Sequence, residues 1–159
     1  EVGTIKVEAP PMAATMANPN PANMLSAKFS IPYAIAAAIV HGTTGVDAFY
    51  PNMVEHPQIP SLAEKVDVQS DGKMDIRRYD YPTAKVTVTL FDGRDISQEV
   101  VAHRGDSRNP VDSEELQGKF LFLAREALGE EGAARVIEMA CDLENLDNIR
   151  QLMRLLVKV

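Results

Sequence analysis

The chain has 159 residues, 45% of them apolar and 25% charged, with a net charge of −7 and one cysteine. That length supports one domain with a core of its own, and no apolar run approaches the length needed to cross a bilayer. The acidic balance, with no Lys/Arg cluster to interrupt it, argues against nucleic acid, which needs a basic face.

Thr4 to Glu8 alternates polar and apolar residues, which predicts a strand ended by Pro10 and Pro11. Met12 to Ala27 is rich in Pro, Asn, Ala and Met without a sustained period, and reads as an irregular loop containing a helical turn. Ser30 to His41 reads as a helix. Ser30 is its N-cap, Pro32 is tolerated in the first turn, and Gly42 suits the left-handed stop. Ile31, Ile35, Ala38 and Ile39 lie along one stripe, and the many alanines leave a slim helix that another element can approach closely. Short helices follow at Asp47–Tyr50 and Pro57–Lys65, then a short strand at Val66–Gln69.

Ser70 to Tyr81 is polar, with an Asp71-Gly72 turn signal and an Arg77-Arg78 pair. Ala84 to Phe91 is a strand with Val86, Val88 and Leu90 on one face. Asp92-Gly93 is a hairpin turn signal, and the return strand runs from Asp95 to His103. The pattern predicts an α+β fold: an antiparallel sheet with a Asp-Gly hairpin, helices packed on one face, and a helical C-terminal third. In that third, Asp112 caps a helix and Glu115 completes a capping box. Leu116, Phe120, Leu123 and Leu128 form its buried stripe, and Gly129 breaks it. Glu131–Cys141 and Leu146–Leu156 are further helices, the last with Ile149, Leu152, Met153 and Leu156 on one face. Cys141, amid Met139, Ala140 and Leu143, reads as a buried structural thiol. With no signal-peptide pattern and no possible internal disulfide, a cytoplasmic location is expected.

The segment Ala27-Lys28-Phe29-Ser30-Ile31-Pro32-Tyr33 gathers a lysine, a capping serine and a tyrosine where a helix begins. A helix start presents free N–H groups and a positive dipole end, so it suits a carboxylate or phosphate. Lys28 would pair with the anion, or would be a solvated surface lysine. Tyr33 would donate a hydrogen bond or act as a general acid–base, or would be a core aromatic with its hydroxyl satisfied at the edge. Ser30 fits a cap better than a nucleophile, since no His or Asp partner is implied locally. Arg104 and Arg108, flanking Gly105, would hold a second carboxylate with forked guanidinium groups, or would order the loop before the Asp112 helix through salt bridges. His41, His56 and His103 are widely separated and show no ligand spacing, so no metal is predicted. Glycine-rich phosphate loops are absent, and no nucleotide cofactor is expected.

These residues also resemble a known family. A-K-F-S-I-P-Y followed by A-I-A-A-A-I-V-H-G resembles the MmgE/PrpD family, whose best-known members are 2-methylcitrate dehydratases of propionate catabolism. The resemblance continues in order through Pro82–Arg94, Arg104–Pro110 and Glu115–Ala124.

The resemblance implies the smaller, α+β domain of such a protein, with a large helical domain ahead of it. It implies a cofactor-free lyase or isomerase that abstracts a proton beside a carboxylate of a small di- or tricarboxylic acid, then eliminates water or reprotonates. Dehydration of 2-methylcitrate, decarboxylation of aconitate and epimerisation of an amino-dicarboxylate are all chemistries of the family. It implies that Tyr33 faces a cleft between the two domains, which makes it the catalytic candidate, and it strengthens Lys28; Lys28, Ser30, Arg104 and Arg108 are the substrate-binding candidates. The helical domain would supply most acid–base groups, so this chain alone would not turn over. A homodimer is implied for the full-length protein, with no nucleic-acid or membrane partner. A non-catalytic binding or interaction module is the other reading, using the apolar faces of the Ser30 and Leu146 helices.

Overall fold

The N-terminal strand, β1 (Val2–Ala9), turns Ile5, Val7 and Ala9 into the interior and leaves Thr4 and Lys6 exposed, as its alternation demands. In the computed structural model, which describes residues 2–74 and 83–157, β1 lies inside a four-stranded sheet of order β2-β1-β3-β4. β2 is Val66–Ser70, β3 Ala84–Leu90 and β4 Asp95–Val100. The Arg77-Arg78 pair, and all of residues 75–82, fall outside the described residues.

β3 pairs antiparallel with both β1 and β4, and the Asp92-Gly93 turn closes the β3–β4 hairpin with Gly93 at φ 85°. β1 and β2 run parallel, with Ile5 opposite Val66 and Val7 opposite Val68. The sheet is therefore mixed rather than wholly antiparallel. The chain from Pro10 to Lys65 is a helical crossover, and a crossover is what a parallel pair requires. Near the β1 start the register with β3 shifts between Val2 and Thr4, at Gly3. A Cβ on Gly3 would lie 2.9 Å from the carbonyl oxygen of Thr89, so only glycine fits that approach.

The crossover contains α1 (Pro11–Ala14), α2 (Met24–Lys28), α3 (Ile31–His41), a 3-10 turn (Val46–Phe49), α4 (Pro51–Val54) and α5 (Gln58–Ala63). The stretch expected to be irregular thus holds two short helices. Asn23 and Ser26 build a reciprocal capping box that starts α2, a signal legible in the sequence at Asn23 and Ser26. α1 and α3 lie against β2, and α3 packs along α5. The core of this layer is Ala27, Tyr33, Ala36, Ala37, Ala48, Ile59 and Ala63.

The buried face of α3 is Pro32, Tyr33, Ala36 and Ala37, not the Ile31, Ile35, Ala38 and Ile39 stripe; Ala38 and Ile39 are exposed. The helix is apolar nearly all round, so hydrophobicity alone does not select a face. Shape does: the alanine side lets α5 and the 3-10 turn come close. Gly42 ends α3 in the left-handed conformation, as expected.

Residues 1–103 and 104–159 are two compact units. In the second, a loop closed by an Asp106–Asn109 bridge leads to α6 (Ser113–Cys141), which is broken at Gly129 (φ 69°, ψ 169°) as the sequence predicts. A 3-10 turn (Leu143–Asn145) and α7 (Arg150–Leu155) follow. Asp112 caps α6 by accepting from Glu115 N–H at 2.8 Å, but the Glu115 carboxylate goes to Arg104 instead of returning to Asp112, so the capping box is half formed. The stripe expected to be buried is open: Leu116 and Leu123 are exposed, Phe120 and Leu128 half-buried. The buried positions are Ala133, Val136 and Met139, at a spacing of three, in the second half of the helix. Cys141 lies about 200° further round from Met139, and it is exposed rather than buried. α7 is shorter than predicted, and Ile149, Met153 and Leu156 remain exposed. Among the described residues no helix is long and apolar enough to cross a membrane.

Candidate functional site at the α2–α3 junction

Lys28 is the last residue of α2, Phe29 links the two helices, and Ser30 caps α3. Lys28 is exposed and, among the described residues, has no ion-pair or hydrogen-bond partner. Helical spacing puts Met24 and Leu25 on its side of α2. Leu25 and Phe29 are 65% and 62% exposed, so a free ammonium stands in an apolar surface.

The α3 start is closed to ligands. Ile31 N–H donates to the Met16 carbonyl at 2.8 Å, Pro32 has no N–H, Tyr33 N–H donates to Ser30 Oγ at 3.0 Å, and Ala34 N–H donates to the Ser30 carbonyl at 3.0 Å. No first-turn donor is left for an anion, so the helix end offers only its dipole. Ser30 is 3% exposed, and its hydroxyl also donates to the Asn18 carbonyl. It ties the loop after α1 to the start of α3. Ser30→Ala removes both bonds and should lower stability by about 1–2 kcal/mol, read as a drop in the urea midpoint with an unchanged slope.

Tyr33 is fully buried, its ring 5.4 Å from that of Phe49, and its hydroxyl donates to the Ala48 carbonyl. Burial pushes its pKa above the ordinary 10.0. In this arrangement Tyr33 holds α3 to the 3-10 turn. Its phenolic proton is committed to a backbone acceptor.

Arg104 and Arg108 belong to the second unit. Arg104 Nε donates to Glu115 at 2.8 Å, and its guanidinium also reaches Asn109, the Pro110 carbonyl and Asp112. The Glu115 bond and charge hold the Arg104 proton more firmly than usual. Arg108 makes a forked pair with Asp106, with bonds of 2.9 and 3.0 Å. Both arginines are tied to the loop before α6 or to the first turn of that helix.

The histidines His41 and His56, far apart in sequence, stack edge to face with centroids 5.3 Å apart. His41 follows Val40 at the end of α3, and His56 precedes α5, so the α3–α5 packing brings them together. Only the fold reveals that pair. Among the described residues no three His, Cys, Asp or Glu side chains gather as metal ligands.

Residues 1–145 match the MmgE/PrpD C-terminal domain. The cis-aconitate decarboxylase of Mus musculus is 27% identical over 138 residues, which is 87% of this chain and 28% of that protein. The cis-aconitate decarboxylase of Homo sapiens is 25% identical over the same share of each chain. The chain therefore spans a little over a quarter of the length of these relatives.

Proposed function

The chain belongs to the MmgE/PrpD family, and from that premise we propose that it forms one wall of a carboxylate-binding site in a lyase of this family. Relatives of the chain are enzymes, cis-aconitate decarboxylases by name. The substrate class we assign is a small di- or tricarboxylic acid. The observation that carries the reading is Lys28: an exposed ammonium with no ion-pair or hydrogen-bond partner among the described residues, on a junction tied by the Ser30 cap and the Asn23 capping box.

Removing a proton beside a carboxylate builds negative charge on the carbon and its carboxylate oxygens. Departure of the hydroxyl group on the next carbon as water, or return of a proton, relieves it; loss of carbon dioxide from a carboxylate instead leaves the same kind of electron pair on carbon, which a proton then takes up. A fixed cation lowers the energy of that intermediate because it need not reorganise as charge develops. Lys28 supplies the cation and the α3 dipole points the same sign outward. We assign Tyr33 the task of fixing α3, with acid–base groups coming from a helical domain. The exposed Leu25 and Phe29 support that division, since a large apolar surface around a charge marks a face built to be covered.

Titration calorimetry with citrate, cis-aconitate and 2-methylcitrate, with the helical domain present, tests the reading. Lys28→Ala should weaken binding about tenfold, the scale of one charge-assisted hydrogen bond. The 159-residue chain alone should show no turnover. Unchanged affinity in Lys28→Ala would remove this residue from the site.

A further inference from the structure

The packing of α3 against α5 sets His41, the last residue of α3, beside His56, which precedes Pro57 at the α5 start. Their ring centroids are 5.3 Å apart and their planes stand at 84°. Nε2 of His41 is buried and has no hydrogen-bond partner among the described residues. Buried polar atoms are nearly always paired, so one left over calls for an explanation. On His56, Nδ1 accepts from Gln58 N–H at 3.4 Å, which is long for such a bond. Its Nε2 has no partner among the described residues. Two imidazoles in contact thus each keep a nitrogen unused.

We propose that His41 and His56 together hold one divalent ion of the late first transition series, with water completing its shell. The spacing suits this. A ring nitrogen lies about 2.0–2.1 Å from such an ion and about 1.1 Å from its own ring centre, so two imidazoles on one tetrahedral ion have centroids about 5 Å apart. The crossed planes show the edge of one ring to the face of the other. Rotation about the soft bond between Cβ and the ring brings the second nitrogen round without moving the backbone. Metal on Nε2 of His56 shifts that ring's proton to Nδ1 and gives up the long bond from Gln58. Gln58 opens α5, where an N–H turned to water is ordinary. The donor set selects the ion. Neutral imidazole suits Cu²⁺, Ni²⁺ and Zn²⁺, whereas Mg²⁺ and Ca²⁺ require oxygen. Among the described residues no third His, Cys, Asp or Glu joins the pair, so the ion is exchangeable rather than locked in. Bound there, it ties the end of α3 to the start of α5. The inference is independent of the carboxylate site.

The test uses the whole chain as Cys141→Ser, which removes the exposed thiol. Calorimetric titration should show one Cu²⁺ per chain, bound more tightly than Ni²⁺ or Zn²⁺, and no binding of Mg²⁺. His41→Gln and His56→Gln should each weaken Cu²⁺ binding about tenfold or more, since losing even a group that only supports a ligand costs that much. Zn²⁺ far above its dissociation constant should raise the melting temperature by several degrees, and should not do so in the double variant. The chain has three histidines, so His103→Gln leaves only the proposed pair. Electron paramagnetic resonance of Cu²⁺ on that variant should show nitrogen coupling from two imidazoles, and this decides the matter if the glutamine variants at 41 and 56 fail to fold. Absence of saturable binding overturns the proposal. So does a single imidazole on copper in His103→Gln, or unchanged affinity in folded His41→Gln and His56→Gln.

Discussion

Tyr33→Ala is expected to lower the free energy of unfolding by about 3–5 kcal/mol, the range for deleting a buried aromatic. Tyr33 is among the largest fully buried side chains, and it joins α3 to the Val46–Phe49 turn by both ring and hydroxyl. Its loss leaves a cavity between two short elements that have few other ties. Tyr33→Phe keeps the ring and should cost less, about 1–3 kcal/mol, because the Ala48 carbonyl loses its donor.

The same residue sets an alkaline limit. Its folded pKa is raised by burial above 10.0, so the folded state holds the phenolic proton more tightly than the unfolded chain does. That contribution to stability is whole below about pH 10 and is lost as pH rises through the folded value. Wild-type stability should therefore fall steeply above pH 10, and Tyr33→Phe should flatten that part of the profile. Urea midpoints measured from pH 8 to 11 check this. An identical alkaline slope in both proteins would assign the loss to other groups.

Ala37→Leu is the second large effect, a loss of about 1–3 kcal/mol through overpacking. Ala37 has no exposed surface and shares a cluster with Ile59 and Ala63 of α5. Three added carbons have nowhere to go unless α5 moves away. Ala38→Leu, one residue along on the exposed side of α3, should change stability by no more than about 0.5 kcal/mol. Thermal unfolding of the two variants side by side reads the contrast directly. Equal effects would mean that α3 does not bury its alanine face.

These predictions rest on a face the hydrophobic pattern could not choose. A helix reading Ile-Pro-Tyr-Ala-Ile-Ala-Ala-Ala-Ile-Val-His has apolar residues on every side. The isoleucines and the alanines offer two apolar faces, and the periodicity does not rank them. The structure buries the alanines because a compact layer needs helices close together, and small residues permit that. In α6 too the exposed positions include large apolar residues, Leu116 and Leu123, while Ala133 is buried.

The candidate site divides in the same way. Ser30 as a cap, Gly42 as a stop, Gly93 in the hairpin and Gly129 at the helix break are local chemistry, legible in order along the chain. The availability of the α3 start to an anion was not legible. It depends on the Met16 and Asn18 carbonyls, which belong to a loop with no periodicity and arrive from more than ten residues away. Likewise, whether Tyr33 meets solvent depends on where Ala48 lies, and whether Arg104 is free depends on where Glu115 points.

By itself the sequence determined the α+β class, the strands, the hairpin, the caps and the family, because each is encoded in a few neighbouring residues by backbone preference and side-chain period. Only the tertiary structure decided that β1 and β2 run parallel, which side of α3 is buried, that Tyr33 and both arginines are already engaged, and that Lys28 has no polar partner among the described residues. The physical reason is that a hydrogen bond or a burial is a property of two groups brought together, and the second group is named by the fold.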